Sequence, residues 1–326
     1  MDATDIVTVI NLSKRYGEFT AVNGISFSIR RGEIFGFLGP NGAGKTTTIN
    51  MMIGLARPSG GSIVINGLDA VKYRKKAQSL MGIVPDESNL YDEMDGFDNL
   101  CFCGALYGMR KAAREKRARE LIEQFDLTKA GGRPFKAYSK GMRRKLTIAA
   151  AIMHKPEILF LDEPTTGIDV ESARQIRRLL LKLRQDGTTI FITTHYIEEA
   201  ERICDRIAFI VDGNIVASGT VSELMESVSH GHAIRLAADK DLAPLAGKLQ
   251  ERFGNCSVKT GDGHTLTLFS REPIALSPVL QYLDGLGISV FEAREMRPSL
   301  EDVFVRLTGI EAARLKKEKE KGGMSK

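Results

Sequence analysis

The segment Gly39-Pro40-Asn41-Gly42-Ala43-Gly44-Lys45-Thr46-Thr47 limits what this chain can fold into more than any other stretch. It fits the pattern G-x-x-x-x-G-K-[ST], and the apolar run Ile34 to Leu38 leads directly into it. A short run of this kind reads as a strand buried on both faces, and the residues from about Gly44 read as a helix. Strand, glycine-rich turn and helix in that order wrap backbone N–H groups around an anion. The helix start adds its partial positive charge. Lys45 is then placed to reach the β- and γ-phosphates of a nucleoside triphosphate, and the Thr46 hydroxyl to ligate Mg2+. Gly39, Asn41, Gly42, Ala43, Gly44 and Thr47 complete the expected cradle.

Two more short apolar strands follow, Ile158 to Leu161 and Thr189 to Thr193. Strands like these, separated by helices, predict a mostly parallel sheet covered on both faces. Near the N-terminus Val7 and Val9, then Ile25, Phe27 and Ile29, alternate with polar residues as half-buried antiparallel strands do. Residues 96–130 read as helical throughout, so a helical insert at about 88–140 interrupts the α/β core. The nucleotide domain is expected over 5–230.

Composition shifts at Ser229-His230-Gly231-His232. From there the order strand, helix, strand, strand, helix, strand predicts a small α+β domain of ferredoxin-like arrangement over 231–310. A Lys/Glu-rich tail, 311–326, ends the chain; it reads either as a solvated tail or as a contact for anionic lipid.

The overall composition excludes several classes. Of 326 residues 43% are hydrophobic and 27% charged, which rules out wholesale disorder. The net charge of +5 is too small by itself to argue for a nucleic-acid binder, which needs a clustered basic face, so no nucleic-acid partner is expected. The longest apolar stretch lies within Leu146 to Met153, far short of the ~20 residues of a membrane span. The first residues carry no basic-then-apolar leader pattern, and the four cysteines have no metal-like spacing. A reducing, cytoplasmic setting is expected.

Hydrolysis of a triphosphate needs a carboxylate for the metal and another to activate water. Asp162 and Glu163 stand at the C-terminal end of the strand at Ile158, where ligands collect in α/β sheets. Asp162 suits Mg2+ and Glu163 the base, although two acids at a strand end also occur as plain loop solubilisers.

With these residues on the page, the chain resembles the ATP-binding cassette (ABC) ATPases. Tyr16 in Lys14-Arg15-Tyr16-Gly17 matches the aromatic that stacks on adenine, and Tyr138-Ser139-Lys140-Gly141-Met142 matches the signature motif. Gly167-Ile168-Asp169 matches the D-loop, and Thr193-Thr194-His195 the switch histidine. The resemblance implies ATP hydrolysis with Mg2+, with Ser139, Gly141 and Asp169 among the nucleotide-binding positions and His195 beside Glu163 in catalysis. It also implies a head-to-tail homodimer in which each signature caps the other subunit's ATP. Ser139 before a helix suits that role independently, since free N–H groups at a helix start receive anions. No N-K-x-D motif of a G protein and no second phosphate loop occurs.

Within the family, the signature Ser-Lys-Gly-Met, a small domain after the cassette and the stretch Pro298 to Phe304 are similar to the motor subunit of two-component exporters. That implies a separate membrane permease, with this chain on the inner face of the membrane. A soluble regulatory or assembly ATPase is the alternative. The cluster Leu90, Tyr91, Met94 and Phe97 reads either as the permease contact or as a satellite core under the insert. Where the family places a glutamine after the strand ending at Val84, this sequence has Asp86. Its negative charge is attracted to Mg2+, which makes Asp86 a candidate shell ligand, or else it points away from the metal.

Overall fold

A computed structural model describes residues 5–130, 132–228, 232–270, 272–296 and 299–310. In chain order the first elements are β1 (Asp5–Tyr16), β2 (Phe19–Arg30), β3 (Ile34–Leu38), α1 (Lys45–Met52), β4 (Gly60–Ile65), β5 (Leu68–Asp69), α2 (Arg74–Gln78) and β6 (Met81–Val84). Then come α3 (Gly96–Leu106), α4 (Lys111–Gln124), α5 (Lys140–Ala151), β7 (Ile158–Asp162), α6 (Val170–Gln185), β8 (Thr189–Thr194), α7 (Ile197–Ile203), β9 (Arg206–Val211), β10 (Asn214–Thr220) and α8 (Val221–Val228). The last are β11 (His232–Ala238), α9 (Ala246–Arg252), β12 (Cys256–Thr260), β13 (Thr265–Ser270), α10 (Leu276–Gly285), β14 (Val290–Met296) and α11 (Leu300–Thr308). The chain divides into two compact units, one running to Val221 and the other from Ser222 to Arg306. The boundary expected near 230, Pro298 and the tail at 311–326 lie outside the described residues.

In the first unit, the alternation at Val7, Val9, Ile25, Phe27 and Ile29 produces an antiparallel hairpin. Val7 pairs with Ile29 and Val9 with Phe27 across β1 and β2. These strands join β4 and β5 in a sheet ordered β2-β1-β4-β5. The continuous apolar strands form a second sheet, β10-β9-β3-β8-β7-β6, parallel except for the β10–β9 pair. Both sheets contribute to one core. At its centre Phe27 lies over Phe35 and Phe191 with centroids 5.6 and 6.2 Å apart, offset stacks that also fix the sheets' spacing.

The insert departs from the expectation of continuous helix over 96–130. α3 ends at Tyr107, and Gly108, at φ +75°, turns the chain before α4 begins. Only glycine takes that left-handed conformation without strain, so the break was written at one position. Asn99 is fully buried in α3, and its amide bonds Tyr91 N–H and the carbonyls of Tyr91, Met94 and Asp95. One side chain thus shapes the loop in front of its own helix.

From β11 to β14 the second unit has the strand, helix, strand, strand, helix, strand order read from the sequence, with α8 before it and α11 after it as additions. Its sheet is ordered β12-β13-β11-β14 with every neighbouring pair antiparallel. Ile234, Leu236, Leu266 and Leu268 share a core with Leu249 of α9 and Val279 and Leu283 of α10. No helix among the described residues is long and apolar enough to cross a membrane.

Candidate active site

The parallel order β3-β8-β7-β6 decides where the chemistry sits. Leu38 is level with Thr194, Thr193 with Asp162, and Leu161 with Val84. The residues that follow these strands therefore share one edge of the sheet. In spatial order they are the phosphate loop, His195, the Asp162–Glu163 pair and Asp86, over about 14 Å for strands ~4.8 Å apart.

Gly44 adopts φ +104° at the cap of α1, and a Cβ there would lie 2.6 Å from Ala21 O. A side chain is thus excluded both by backbone conformation and by space. No side chain caps α1, so its first N–H groups face outward beside Asn41 and Thr46, both exposed, and Thr47, half-buried. Lys45 is buried and folds its ammonium back into the loop. It donates to Gly39 O at 2.8 Å and Pro40 O at 3.2 Å, and it stands 3.3 Å from Glu163 Oε1.

Glu163 is the hub. Its backbone takes φ +46°, unfavourable for a residue with a side chain, and is held there because its N–H reaches the Thr193 carbonyl and hydroxyl. The carboxylate meets His195 Nδ1 at 2.8 Å and accepts from the Thr166 hydroxyl at 3.1 Å. Burial pushes its pKa up, yet the His195 hydrogen bond and the Lys45 charge outweigh that and leave it lowered. The carboxylate is ionised at neutral pH, so Nδ1 of His195 donates to it and the far ring nitrogen is left for another partner.

Asp162 is buried and accepts a hydrogen bond from the Thr193 hydroxyl, level with it on β8. Among the described residues no group of three or more His, Cys, Asp or Glu side chains converges on a metal site. That donor set fits Mg2+ all the same. This ion keeps waters and phosphate oxygens and takes only one or two protein ligands, which Thr46 and Asp162 can supply. Asp86 keeps an exposed carboxylate 3.7 Å from Arg144 Nη2. Burial first, and then the nearby charges of Asp162 and Glu163, raise its pKa against the pull of Arg144.

Ser139, Gly141 and Asp169 form a second group. Ser139 caps α5, accepting from Met142 N–H at 3.3 Å, and Asp169 caps α6, accepting from Ser172 N–H at 2.8 Å. A Cβ at Gly141 would lie 2.2 Å from Ser172 Oγ, so the two helix starts touch and only glycine fits. None of the described hydrogen bonds or ion pairs joins this group to Lys45, Glu163 or His195. Tyr16, at the end of β1, exposes 53% of its surface, with the Lys14 ammonium 4.8 Å above its ring. Sequence reasoning did not find Thr166 or Arg144 as site neighbours, nor the hold of Thr193 on Asp162. Each acts through a partner made adjacent by strand register or helix packing.

Comparisons with known proteins point to one family. The family described as "ABC transporter" matches residues 22–166. The chain is 37% identical to the linearmycin resistance ATP-binding protein LnrL of Bacillus subtilis, over 92% of this chain and 97% of that protein. It is 38% identical to the Nod factor export ATP-binding protein I of Ralstonia nicotianae, over 95% of each. Among solved structures, an ATP-binding subunit of an ABC transporter superposes with a TM-score of 0.63 at 29% identity, covering 68% of this chain and 92% of that one. A dimeric cassette in a post-hydrolysis state with ADP and Pi gives 0.59 at 28% identity, over 66% and 98%. Near full-length similarity to ATP-binding subunits, together with a triphosphate cradle facing an ionised carboxylate, places this chain in the ABC transporter family, as one of its ATP-hydrolysing cassettes.

Proposed function

We propose that this chain is the motor subunit of an exporter, dimerising head to tail around two Mg-ATP and driving a separate membrane permease from the cytoplasmic face. The observation that carries the dimer is the separation, within one chain, of two anion-receiving helix starts. Lys45 and Glu163 lie at one, Ser139 and Gly141 at the other, and none of the described hydrogen bonds or ion pairs joins the two groups. A second copy turned head to tail supplies the missing half. The outward direction is supported by relatives named for Nod factor export and for linearmycin and doxorubicin resistance. Tyr91, 53% exposed, with the half-buried Leu90, Met94 and Phe97, forms the surface assigned to the permease.

Mg2+, held by Thr46 and Asp162, neutralises charge on the phosphate oxygens when bound. The rest is the work of the chain. Tyr16 offers its ring to the adenine, and the loop N–H groups and Lys45 hold the phosphates. As Lys45 turns to phosphate it leaves Glu163, and burial then raises the carboxylate's pKa with less opposition. Glu163 becomes a stronger base when a water stands ready to lose its proton. His195, oriented through Nδ1, offers its other nitrogen to the γ-phosphate.

Ser139→Arg tests the sandwich. ATP binding by the monomer should stay within a factor of about two, while hydrolysis falls at least ~100-fold, the usual cost of losing an oriented anion contact in the transition state. Hydrolysis at the parental rate would defeat the dimer. Asp86→Gln tests the metal shell: the drop in ATP affinity on removing Mg2+ should be smaller than in the parent, since the variant has lost one charge attracted to the ion. Equal metal dependence in both proteins removes Asp86 from the shell.

A further inference from the structure

Helix α5, which begins with the Ser139 cap, is fastened along its length to the strand and loop that carry Asp86. Arg144 is buried, and its guanidinium donates to Pro85 O at 2.5 Å and to Asp86 O. One turn further on, the hydroxyls of Thr147 and Ser88 share a hydrogen bond of 2.8 Å. A Cβ at Gly82 would lie 2.5 Å from Ala151 O, so helix and strand backbones meet directly. Beyond the helix, the His154 ring bonds Met81 O at 3.0 Å.

The chemistry of the Arg144 contact is specific. A planar guanidinium spans two adjacent carbonyls in a fixed fork, whereas an ammonium is a point donor. Pro85 and Asp86 lie past the end of β6, so their carbonyls receive from the helix what the sheet no longer provides. Arg144 and Thr147, three residues apart, share a helix face, and both grip the same loop. At its other end α5 is seated on Ser172 through Gly141.

We propose that Arg144 is a positioning residue that makes the 85–88 loop and helix α5 move as one body. The state of the loop beside this chain's own nucleotide then sets where Ser139 is offered to the nucleotide of a second copy. The inference rests on the head-to-tail dimer proposed above.

Arg144→Lys in the full chain tests it. Charge is kept and the fork is lost. Monomer ATP binding, read from the ATP-induced melting shift, should stay within about threefold, because Lys45 and the phosphate loop Gly39 to Thr47 are untouched. kcat should fall roughly 10–100-fold, the equivalent of one charge-assisted hydrogen bond, and the rate-against-ATP curve should flatten from sigmoidal towards hyperbolic. Thr147→Val, which removes the Ser88 bond together with the hydroxyl's back-bond to Arg143 O inside α5, should shift kcat and curve shape the same way by a smaller factor. A parental kcat and curve for Arg144→Lys overturns the proposal, as does a loss of ATP affinity equal to the loss of kcat, which marks a local effect on one site. Should Arg144→Lys not fold, Thr147→Val decides: a lower kcat with unchanged ATP binding supports the link, and parental kinetics overturn it. Failure of the dimer itself looks different, since Ser139→Arg would then hydrolyse ATP normally.

Discussion

Glu163→Gln should reduce turnover by about 10²–10⁴-fold, the usual contribution of a general base, while binding Mg-ATP more tightly than the parent. Both effects come from the same contacts. Glu163 Oε1 lies 3.3 Å from the Lys45 ammonium, so phosphate must compete with a carboxylate for Lys45. An amide keeps the shape and still accepts from His195 and Thr166, but competes weakly for the cation. ATP should therefore raise the melting temperature of the variant more than that of the parent, and should trap a dimer that gel filtration resolves. The pH dependence follows from the lowered pKa of Glu163. A depressed carboxyl contributes stability that is present above its unfolded pKa and is lost as pH falls through the folded value. The parent should thus lose more stability than Glu163→Gln on acidification below about pH 4.5, the ordinary glutamate value. Parental multiple-turnover hydrolysis by the variant would remove Glu163 from the base role.

Lys45→Ala should weaken ATP binding about 10–100-fold, as expected for losing a charge-assisted contact of roughly 1.5–3 kcal/mol to the ground-state phosphates. It should slow hydrolysis further, because the same cation faces the charge that develops on the leaving phosphates. The free protein changes as well. The Gly39 and Pro40 carbonyls lose the ammonium donor, and Glu163 loses the cation 3.3 Å from its Oε1, so its pKa moves back up. Isothermal titration with Mg-ATP measures the binding loss directly. An unchanged ATP-dependent melting shift would mean that the cradle does not receive the phosphates through Lys45.

The chemistry of the site was legible in the sequence wherever it depends on local order. The phosphate loop needs a strand before it and a helix after it, and Ile34–Leu38 and Lys45–Met52 flank it as the pattern required. Asp162 and Glu163 were placed by the end of one apolar strand, and Ser139 by the start of its helix, whereas the capping role of Asp169 emerged only from the structure. The alternation at Val7, Val9, Ile25, Phe27 and Ile29 sufficed for the antiparallel hairpin, because period two is a property of one strand at a time. The break in the insert at Gly108 was also local, but it was masked by the helix-forming residues around it.

Tertiary structure decided which of these pieces meet. Thr193 belongs to Asp162, Lys45 to Glu163 and Arg144 to the 85–88 loop only because β8 lies between β3 and β7 and α5 packs on β6. Strand order follows from how crossover helices bury their apolar faces on the sheet, a sum over many weak, non-local contacts that no short window of residues contains. The residue types that can bind and cleave a triphosphate were therefore written along the chain. The ionised state of Glu163 and the bond between loop and helix were settled only when burial and register brought distant charges within a few ångströms.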